Sequence, residues 1–135
     1  MVVVLFVCTG NAARSQMAEG LLKNMKPDMT VLSAGTKPEG LSPRAVKAMQ
    51  KIGVDISNQT SKCIDDIPWS QADYAITLCG SANEICVAMN WPEKCMREHW
   101  PIDDPVSDDD YINAVSYTHL RAHETEADLV CRLLL

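Results

Sequence analysis

The chain has 135 residues, 47% of them hydrophobic, and its 18 acidic and 12 basic side chains give a formal net charge of -6. This size and composition predict one compact domain over residues 1–135. The acidic balance excludes a broad nucleic-acid-binding or anionic-membrane surface, so we expect any bound anion to be captured locally. No apolar stretch is long enough to span a membrane, and the N-terminal apolar run lacks the length and basic flank of a signal peptide, which predicts a cytoplasmic protein.

The six cysteines of the chain are better explained as reactive or packed thiols in a reducing compartment than as a disulfide framework. They are Cys8, Cys63, Cys79, Cys86, Cys95 and Cys131. No Cys-x2-Cys pair occurs, and only His99 lies close in sequence to a cysteine. We therefore expect neither a metal site nor a bound cofactor.

The first predicted element comes from an apolar run over residues 2–7, which is typical of a buried strand and ends in a turn. A helical pattern begins at Ser15 and continues to about Met25. Between them, residues 8–15 read Cys-Thr-Gly-Asn-Ala-Ala-Arg-Ser. This segment is a loop between a strand end and a helix N-terminus, where backbone N–H groups and the helix dipole favour an anion.

A cysteine and an arginine separated by five residues determine the chemistry expected of this loop. The field that favours an anion also stabilises a thiolate, so Cys8 is predicted to be a nucleophile at neutral pH. Arg14 offers a planar fork that matches two oxygens of a tetrahedral oxyanion. The residues predicted to bind the oxyanion are Thr9, Gly10, Asn11, Ala12, Ala13, Arg14 and Ser15, with Gly10 and Asn11 suited to unusual backbone dihedrals. The alternative is that Cys8 is an ordinary buried cysteine at a strand end.

The next elements alternate between strand and helix. Ser42 as N-cap and Pro43 at the first helical position begin a predicted helix that Gly53 ends. The other predicted elements are strands over residues 30–33 (closed by Ala34-Gly35), 73–78 and 97–100, and a short helical piece over residues 63–67. Such alternation predicts an α/β fold, a three-layer α/β/α arrangement around a four-stranded parallel sheet. Because Cys8 and Cys79 both follow strands, we expect them on the same rim of the sheet, where ligands bind.

Cys79 and Cys86 form the second informative feature. In a continuous helix their separation would correspond to about 10.5 Å of rise, which is too long for a disulfide. Gly80, Ser81 and Asn83 make the intervening segment a poor helix, so we predict a mobile loop that reshapes when its cysteines are oxidised. The alternative is two unrelated cysteines.

Asp103-Asp104-Pro105 supplies the candidate proton donor. A carboxylic acid on a loop fixed by proline can be held over an anion site and protonate a leaving oxygen while the thiolate attacks. Asp104 is the predicted donor because it adjoins Pro105. The alternative is a solvated acidic turn, which the neighbouring run Asp108-Asp109-Asp110 favours.

The last segment, from about residue 115, resembles translated sequencing-adaptor read-through more than a natural ending. It leaves open that residues 115–135 form a non-native tail, to which we assign no function. The segment still contains a pattern for an amphipathic helix that would pack on the sheet through Leu120, Ala127, Val130 and Leu134.

Several segments together resemble the thioredoxin-coupled arsenate reductases, which share the fold of the low-molecular-weight protein tyrosine phosphatases. They are residues 8–19, 33–35, 55–61, 77–86 and 99–105, in order and with compatible spacing over roughly residues 1–110. The Cys-x5-Arg-Ser loop alone does not separate the two families, whereas the pair Cys79 and Cys86 favours the reductases. The phosphatases also usually have Pro and an aromatic residue where this chain has Gln16 and Val106.

The resemblance implies reduction of arsenate to arsenite by three cysteines, with Arg14 binding the anion and Asp104 protonating the departing oxygen. Cys8 would attack arsenate, Cys79 would attack the Cys8 sulfur and release arsenite, and Cys86 would then form a disulfide with Cys79 for thioredoxin to reduce. We expect a monomer, with Asn11 organising the loop and Ser15 hydrogen-bonding the Cys8 thiolate. A phosphatase acting through a Cys8 phospho-enzyme is the alternative, and a non-catalytic anion sensor is a third hypothesis.

The chain departs from the family pattern in two ways, and each departure leads to an expectation. Some members bind potassium through positions that match Asn11, Glu19, Ser33 and an aspartate, but Lys62 stands at the last position here. We therefore expect no strong potassium dependence, with the lysine ammonium partly replacing the charge of the ion. Cys63 and Cys95 are additional cysteines, which we predict to be packing residues.

Overall fold

A four-stranded parallel sheet forms the middle layer of the fold. The computed structural model describes residues 2–134, and side chains within residues 2–124. The strands are β1 (Val3–Cys8), β2 (Thr30–Gly35), β3 (Tyr74–Thr77) and β4 (Met96–His99). They are arranged in the order β2-β1-β3-β4, and every pairing is parallel. Because β1 is flanked by partners on both sides, its end lies at the centre of the carboxyl rim.

Helices cover both faces of this sheet. They are α1 (Arg14–Met25), α2 (Pro43–Gln50), α3 (Gly80–Val87) and α4 (Asp108–Leu134), with two short 3-10 turns at Ile64–Asp66 and Trp69–Gln71. Val4 and Phe6 of β1 pack with the buried residues of α1, α2 and α4. Leu5 and Val7 point to the opposite face and pack with Ala82 of α3. This alternation along one buried strand produces the three layers, so the predicted fold class is confirmed.

The prediction that Cys8 and Cys79 lie on the same rim of the sheet is also confirmed. Cys8 is the last residue of β1, and Val7 pairs in register with Thr77, the last residue of β3. Cys79 follows two residues later as the N-cap of α3. The helix start at α2 agrees with its sequence signal as well, since the Ser42 side chain accepts a hydrogen bond from the Ala45 backbone N–H.

The prediction of a mobile loop between Cys79 and Cys86 is wrong, because residues Gly80–Val87 form a helix. Ala82 and Cys86 lie four residues apart on one helix face, and both are buried against the sheet. The Trp91 indole N–H donates to the Cys86 carbonyl oxygen at 2.7 Å and so satisfies one acceptor at the end of the helix. Packing thus outweighs the weak helix propensity of the segment.

The amphipathic pattern assigned to the end of the chain is only partly right. α4 packs on the core through Ala114, Val115 and Ala122, whereas Leu120 is 62% exposed. Ala127, Val130 and Leu134 lie outside the residues whose side chains are described. The helix that was predicted to run until Gly53 ends earlier, at Gln50, and Ile52 beyond it is 48% exposed.

None of the described helices is both long and apolar enough to cross a membrane.

Gly35 provides a test of how tightly β2 supports the Cys8 loop. A Cβ atom at this position would lie 2.6 Å from the Thr9 carbonyl oxygen and 2.9 Å from the Asn11 nitrogen, both of them backbone atoms. We expect Gly35→Ala to lower the free energy of unfolding by about 1–3 kcal/mol and to weaken oxyanion binding. Denaturant unfolding and calorimetric titration with sulfate would measure the two effects.

Gly80→Ala is the matched control, because a Cβ at Gly80 would meet no heavy atom within 4 Å. In a helix, this change is expected to leave stability unchanged or to raise it by up to about 1 kcal/mol. Equal losses in both variants would contradict the close backbone approach at Gly35.

Candidate active site

The loop of residues 9–13, between β1 and α1, holds its carbonyl oxygens outward. The carbonyl of Thr9 accepts from the Lys37 N–H at 2.8 Å and that of Gly10 from the Glu39 N–H at 2.9 Å. The carbonyls of Asn11 and Ala12 accept from Gln16 Nε2 and the Ser42 N–H at 3.0 and 2.9 Å respectively. In a trans peptide the N–H points opposite to the carbonyl, and the described residues contain no cis peptide. The N–H groups of residues 10–13 therefore face the interior of the loop.

The Cys8 sulfur lies at the base of this ring of N–H groups. The residue is buried, and its Sγ accepts from the Asn11 N–H at 3.2 Å. Ser15 Oγ lies 2.9 Å from the same sulfur and accepts from Asn11 Nδ2 at 2.7 Å. Because Ser15 Oγ already accepts that bond, its own proton is available for Cys8. Two donors thus converge on the sulfur, as a thiolate requires.

Asn11 links the loop to three other parts of the chain. Its φ of 47° lies in the left-handed region, which asparagine tolerates better than most residues. Its Nδ2 donates to Ser33 Oγ in β2 at 2.9 Å as well as to Ser15. Its Oδ1 accepts from the Lys62 N–H at 2.8 Å and from Gln16 Nε2 at 3.1 Å. Gly10, in contrast, is not among the residues with positive φ.

Glu19 extends this network to two lysines. Its side chain is only 5% exposed and accepts from Ser33 Oγ at 2.5 Å. Lys23 Nζ lies 2.5 Å from Glu19 Oε2, and Lys62 Nζ lies 3.7 Å from Glu19 Oε1. The buried carboxylate therefore has ammonium partners from this chain. Lys23 and Lys62 thus compensate the charge of this carboxylate from within the chain.

Arg14 and Asp104 face each other across the mouth of the loop. Arg14 is the first residue of α1, and its Nη2 lies 3.8 Å from Asp104 Oδ1. Its Nη1 donates to the Ile102 carbonyl at 2.9 Å. The Asp104 side chain is 83% exposed, so the carboxyl group is open to solvent and to an incoming oxyanion. The structure therefore places Asp104 beside Arg14, which begins α1 directly after the loop that follows Cys8.

The second and third thiols lie at opposite ends of α3. Cys79 Sγ lies 3.2 Å from Oγ1 of Thr9, and Thr9 is the residue next to Cys8. Cys86 is buried in the last turn of the helix. Burial is the main cause that raises the pKa of the Cys86 thiol to about 11, and the nearby Cys79 adds to it. At neutral pH, Cys86 is therefore protonated while α3 is intact.

The two additional cysteines are in different places. Cys95 is buried and lines the same cavity of about 460 Å³ as Cys86. Burial also raises the pKa of Cys95. Cys63 caps the first 3-10 turn and forms an isolated bridge with Gly35. All five cysteines of the region with described side chains are free thiols.

The sequence interpretation missed two residues that hold the loop from behind. Gln16 Nε2 donates to both oxygens of Asn11 and to the Thr60 carbonyl. Ser61 Oγ donates to the Gly10 carbonyl at 3.1 Å. A polar residue such as Gln16 on the buried face of a helix was the available signal, since a buried amide needs several partners. Within the described region, no group of three or more His, Cys, Asp or Glu side chains is placed to hold a metal ion.

The comparisons with known proteins agree with this site. The arsenate reductase of Bacillus subtilis (strain 168) is 50% identical over 104 residues, which cover 76% of this chain and 73% of the relative. A structure of an arsenate reductase in the phosphate binding state matches with a TM-score of 0.80 at 31% identity, covering 95% of this chain and 98% of that chain. The thioredoxin-dependent arsenate reductase Cg_ArsC1' of Corynebacterium glutamicum shares the fold, with a TM-score of 0.81 at 24% identity and coverage of 98% and 63%.

Residues 3–127 match the family described as low molecular weight phosphotyrosine protein phosphatase. The chain belongs to this family. Within it, the sequence groups with the proteins named arsenate reductase, since identity to them reaches 50% over most of the chain. The resemblance drawn from the motifs is thereby confirmed.

Substitution of Lys62 tests the role of its ammonium group beside Glu19. We expect Lys62→Met to weaken sulfate binding about three- to tenfold, because the buried carboxylate that supports Ser33 and Asn11 loses part of its charge compensation. The native chain is expected to bind sulfate and to melt equally in potassium chloride and sodium chloride. Titration calorimetry and thermal unfolding in the two salts would measure this.

Lys37→Met is the matched control, because Lys37 contacts the loop through its backbone N–H alone among the contacts described. A native chain that potassium, but not sodium, stabilises would contradict the role given to Lys62.

Proposed function

We propose that this chain reduces arsenate to arsenite through a relay of Cys8, Cys79 and Cys86 that thioredoxin recycles. The contact between Thr9 Oγ1 and Cys79 Sγ carries the proposal, because it brings a second thiol to the residue beside the nucleophile. A phosphatase that hydrolyses its adduct with water has no use for a thiol at this position. The similarity to proteins named arsenate reductase supports the same assignment.

In the first step the Cys8 thiolate attacks the arsenic atom of arsenate and an As–O bond breaks. The inward N–H groups of residues 10–13 and the Arg14 guanidinium neutralise charge on the remaining oxygens. Asp104 protonates the oxygen that departs, which leaves as water or hydroxide according to its protonation. The product is a Cys8–arsenic thioester-like adduct, still at the oxidation state of arsenate.

In the second step the Cys79 thiolate attacks the Cys8 sulfur. A disulfide forms between the two sulfurs, and the electron pair of the S–As bond stays with arsenic, which leaves as arsenite. Cys79 is the N-cap of α3, so the attacking sulfur lies at the end of the helix near Thr9. The two cysteines together supply the two electrons of the reduction.

In the third step Cys86 attacks the Cys79 sulfur and releases the Cys8 thiolate. The seven-residue separation within α3 corresponds to about 10.5 Å of rise, so the helix must unwind before the sulfurs can bond. Unwinding also exposes Cys86 to water and thereby removes the main cause of its raised pKa. The conformational change and the activation of the nucleophile are the same event.

The resulting Cys79–Cys86 disulfide is the group that an external dithiol must reduce. We propose thioredoxin for this role, in a cytoplasmic setting where structural disulfides are rare. The relay needs no metal or organic cofactor, and every group it uses comes from one copy of the chain, in keeping with a monomer of one domain.

A coupled assay tests the proposed function directly. With thioredoxin, thioredoxin reductase and NADPH, we expect arsenate to start NADPH oxidation, because each turnover leaves one disulfide to reduce. The measurement is the fall in absorbance at the NADPH band, with phosphate in place of arsenate as the control. Absence of arsenate-dependent oxidation, together with rapid hydrolysis of an aryl phosphate, would replace this function with the phosphatase alternative.

Cys86→Ser separates the last exchange from the first two steps. We expect one equivalent of arsenite per chain and then arrest as a Cys8–Cys79 disulfide, because no thiol remains to attack Cys79. Quenched-flow arsenite analysis and peptide mapping by mass spectrometry would measure the burst and the bond. Cys63→Ser is the control and should turn over repeatedly, whereas repeated turnover by Cys86→Ser would contradict its assigned role.

A further inference from the structure

The segment of residues 100–107, here called the acid loop, carries Asp104 between β4 and α4 without regular secondary structure. Asp104 is 83% exposed, and its described ion pair is the 3.8 Å contact with Arg14. A general acid must be held within hydrogen-bond reach of the departing oxygen. Contacts elsewhere in the acid loop must therefore fix where the carboxyl group lies.

On one side of Asp104, the acid loop is held by the end of β3 and by Arg14, the first residue of α1. The Ile102 N–H donates to the Leu78 carbonyl at 3.0 Å, which fastens this point to the end of β3. The Ile102 carbonyl accepts from Arg14 Nη1 at 2.9 Å. Two residues before the acid, the backbone is thus bound to an arginine of the site.

The other side is held by a second arginine. Arg44 Nη1 donates to the Val106 carbonyl at 2.5 Å, two residues after Asp104. The same guanidinium donates to Asp108 Oδ1 from Nε at 3.2 Å and from Nη2 at 2.9 Å. Its carbon lies 5.1 Å from the centre of the Tyr111 ring. One planar group therefore binds the acid loop and the first turn of α4 together.

The position of Arg44 on α2 connects these contacts to the anion site. Arg44 is the second residue of α2. The N-cap of that helix, Ser42, donates its N–H at 2.9 Å to the Ala12 carbonyl in the loop of residues 9–13, here called the oxyanion loop. The first turn of α2 is consequently bonded to the oxyanion loop on one side and, through Arg44, to Val106 on the other. This path fixes the acid relative to the nucleophile without passing through Arg14.

We propose that Arg44 is a positioning residue for proton transfer: it holds the acid loop so that the Asp104 carboxyl stays over the oxyanion loop. The proposal rests on the proposed function, in which Asp104 is the proton donor. The contacts described for Arg44 are to Val106, Asp108 and Tyr111 and not to Cys8 or residues 9–13, so we expect its effect on the rate of the first step and not on anion affinity. Lysine cannot replace it fully, because an ammonium lacks the fork that binds Val106 and Asp108 at once.

The test is single-turnover arsenite release with enzyme in excess. We expect Arg44→Gln to lower the maximal rate about 5- to 20-fold, since loss of general acid catalysis costs on the order of a hundredfold or more and a displaced acid loses part of that. The arsenate concentration for half-maximal rate should change less than about twofold, and Arg44→Lys should recover part of the rate. Lys47→Gln removes a positive charge from the same helix and should leave the rate unchanged.

A double variant distinguishes positioning from a general loss of stability. In an Asp104→Asn background, Arg44→Gln should cause no further loss, because no acid remains to position. The same fold loss in both backgrounds, or a weakened half-maximal concentration at an unchanged rate, would overturn the proposal. Thermal unfolding of each variant shows whether α4 is still attached, and Arg44→Lys serves as the test variant if Arg44→Gln melts early.

The two proposals fail in different ways. If Asp104→Asn leaves the single-turnover rate unchanged, Asp104 is not the proton donor, and the role of Arg44 is overturned with it. If Asp104→Asn slows the reaction and Arg44→Gln does not, the relay stands and only the positioning role is overturned.

Discussion

The outward orientation of four successive carbonyl groups is the constraint on which the site depends. An anion site built from N–H groups works only if the opposite ends of the same peptides are satisfied elsewhere. Lys37, Glu39, Gln16 and Ser42 provide the donors for residues 9–12. The chain carries a net charge of -6, yet this local arrangement turns one rim of the sheet into a place for an oxyanion.

The backbone of Asn11 is strained, and contacts from several elements hold it in that conformation. A non-glycine residue at φ 47° is disfavoured unless its surroundings hold it. Both ends of its amide are bonded, to Ser15 and Ser33 on one side and to Lys62 and Gln16 on the other. The conformation that aims the Asn11 N–H at the Cys8 sulfur is therefore fixed by hydrogen bonds to the Asn11 side chain from α1, β2 and the Lys62 backbone.

The sequence predicted the parts of the fold that local patterns determine. The buried strand before Cys8, the Ser42 cap and the strand before Cys79 all follow from periodicity and capping chemistry, and each is present. α3 was mispredicted, because its helical state depends on burying Ala82 and Cys86 against β1 and β3, which is a tertiary effect. The outward orientation of the loop carbonyls could not be predicted from sequence either, since most of their donors are distant along the chain, the farthest being Ser61, 51 positions from Gly10.

The helical state of α3 changes how the relay is ordered in time. A loop would leave Cys86 free to attack Cys79 at any moment, and the pair would oxidise without reference to arsenate. With the helix intact, Cys86 is buried and protonated, while Cys79 sits beside Thr9 at the exposed end of the same helix. In the proposed relay the first disulfide forms between Cys8 and Cys79, at the end of α3 opposite Cys86. Because Cys86 must then cross about 10.5 Å of helix rise to reach Cys79, the helix has to unwind before the last exchange, which keeps the proposed steps in sequence.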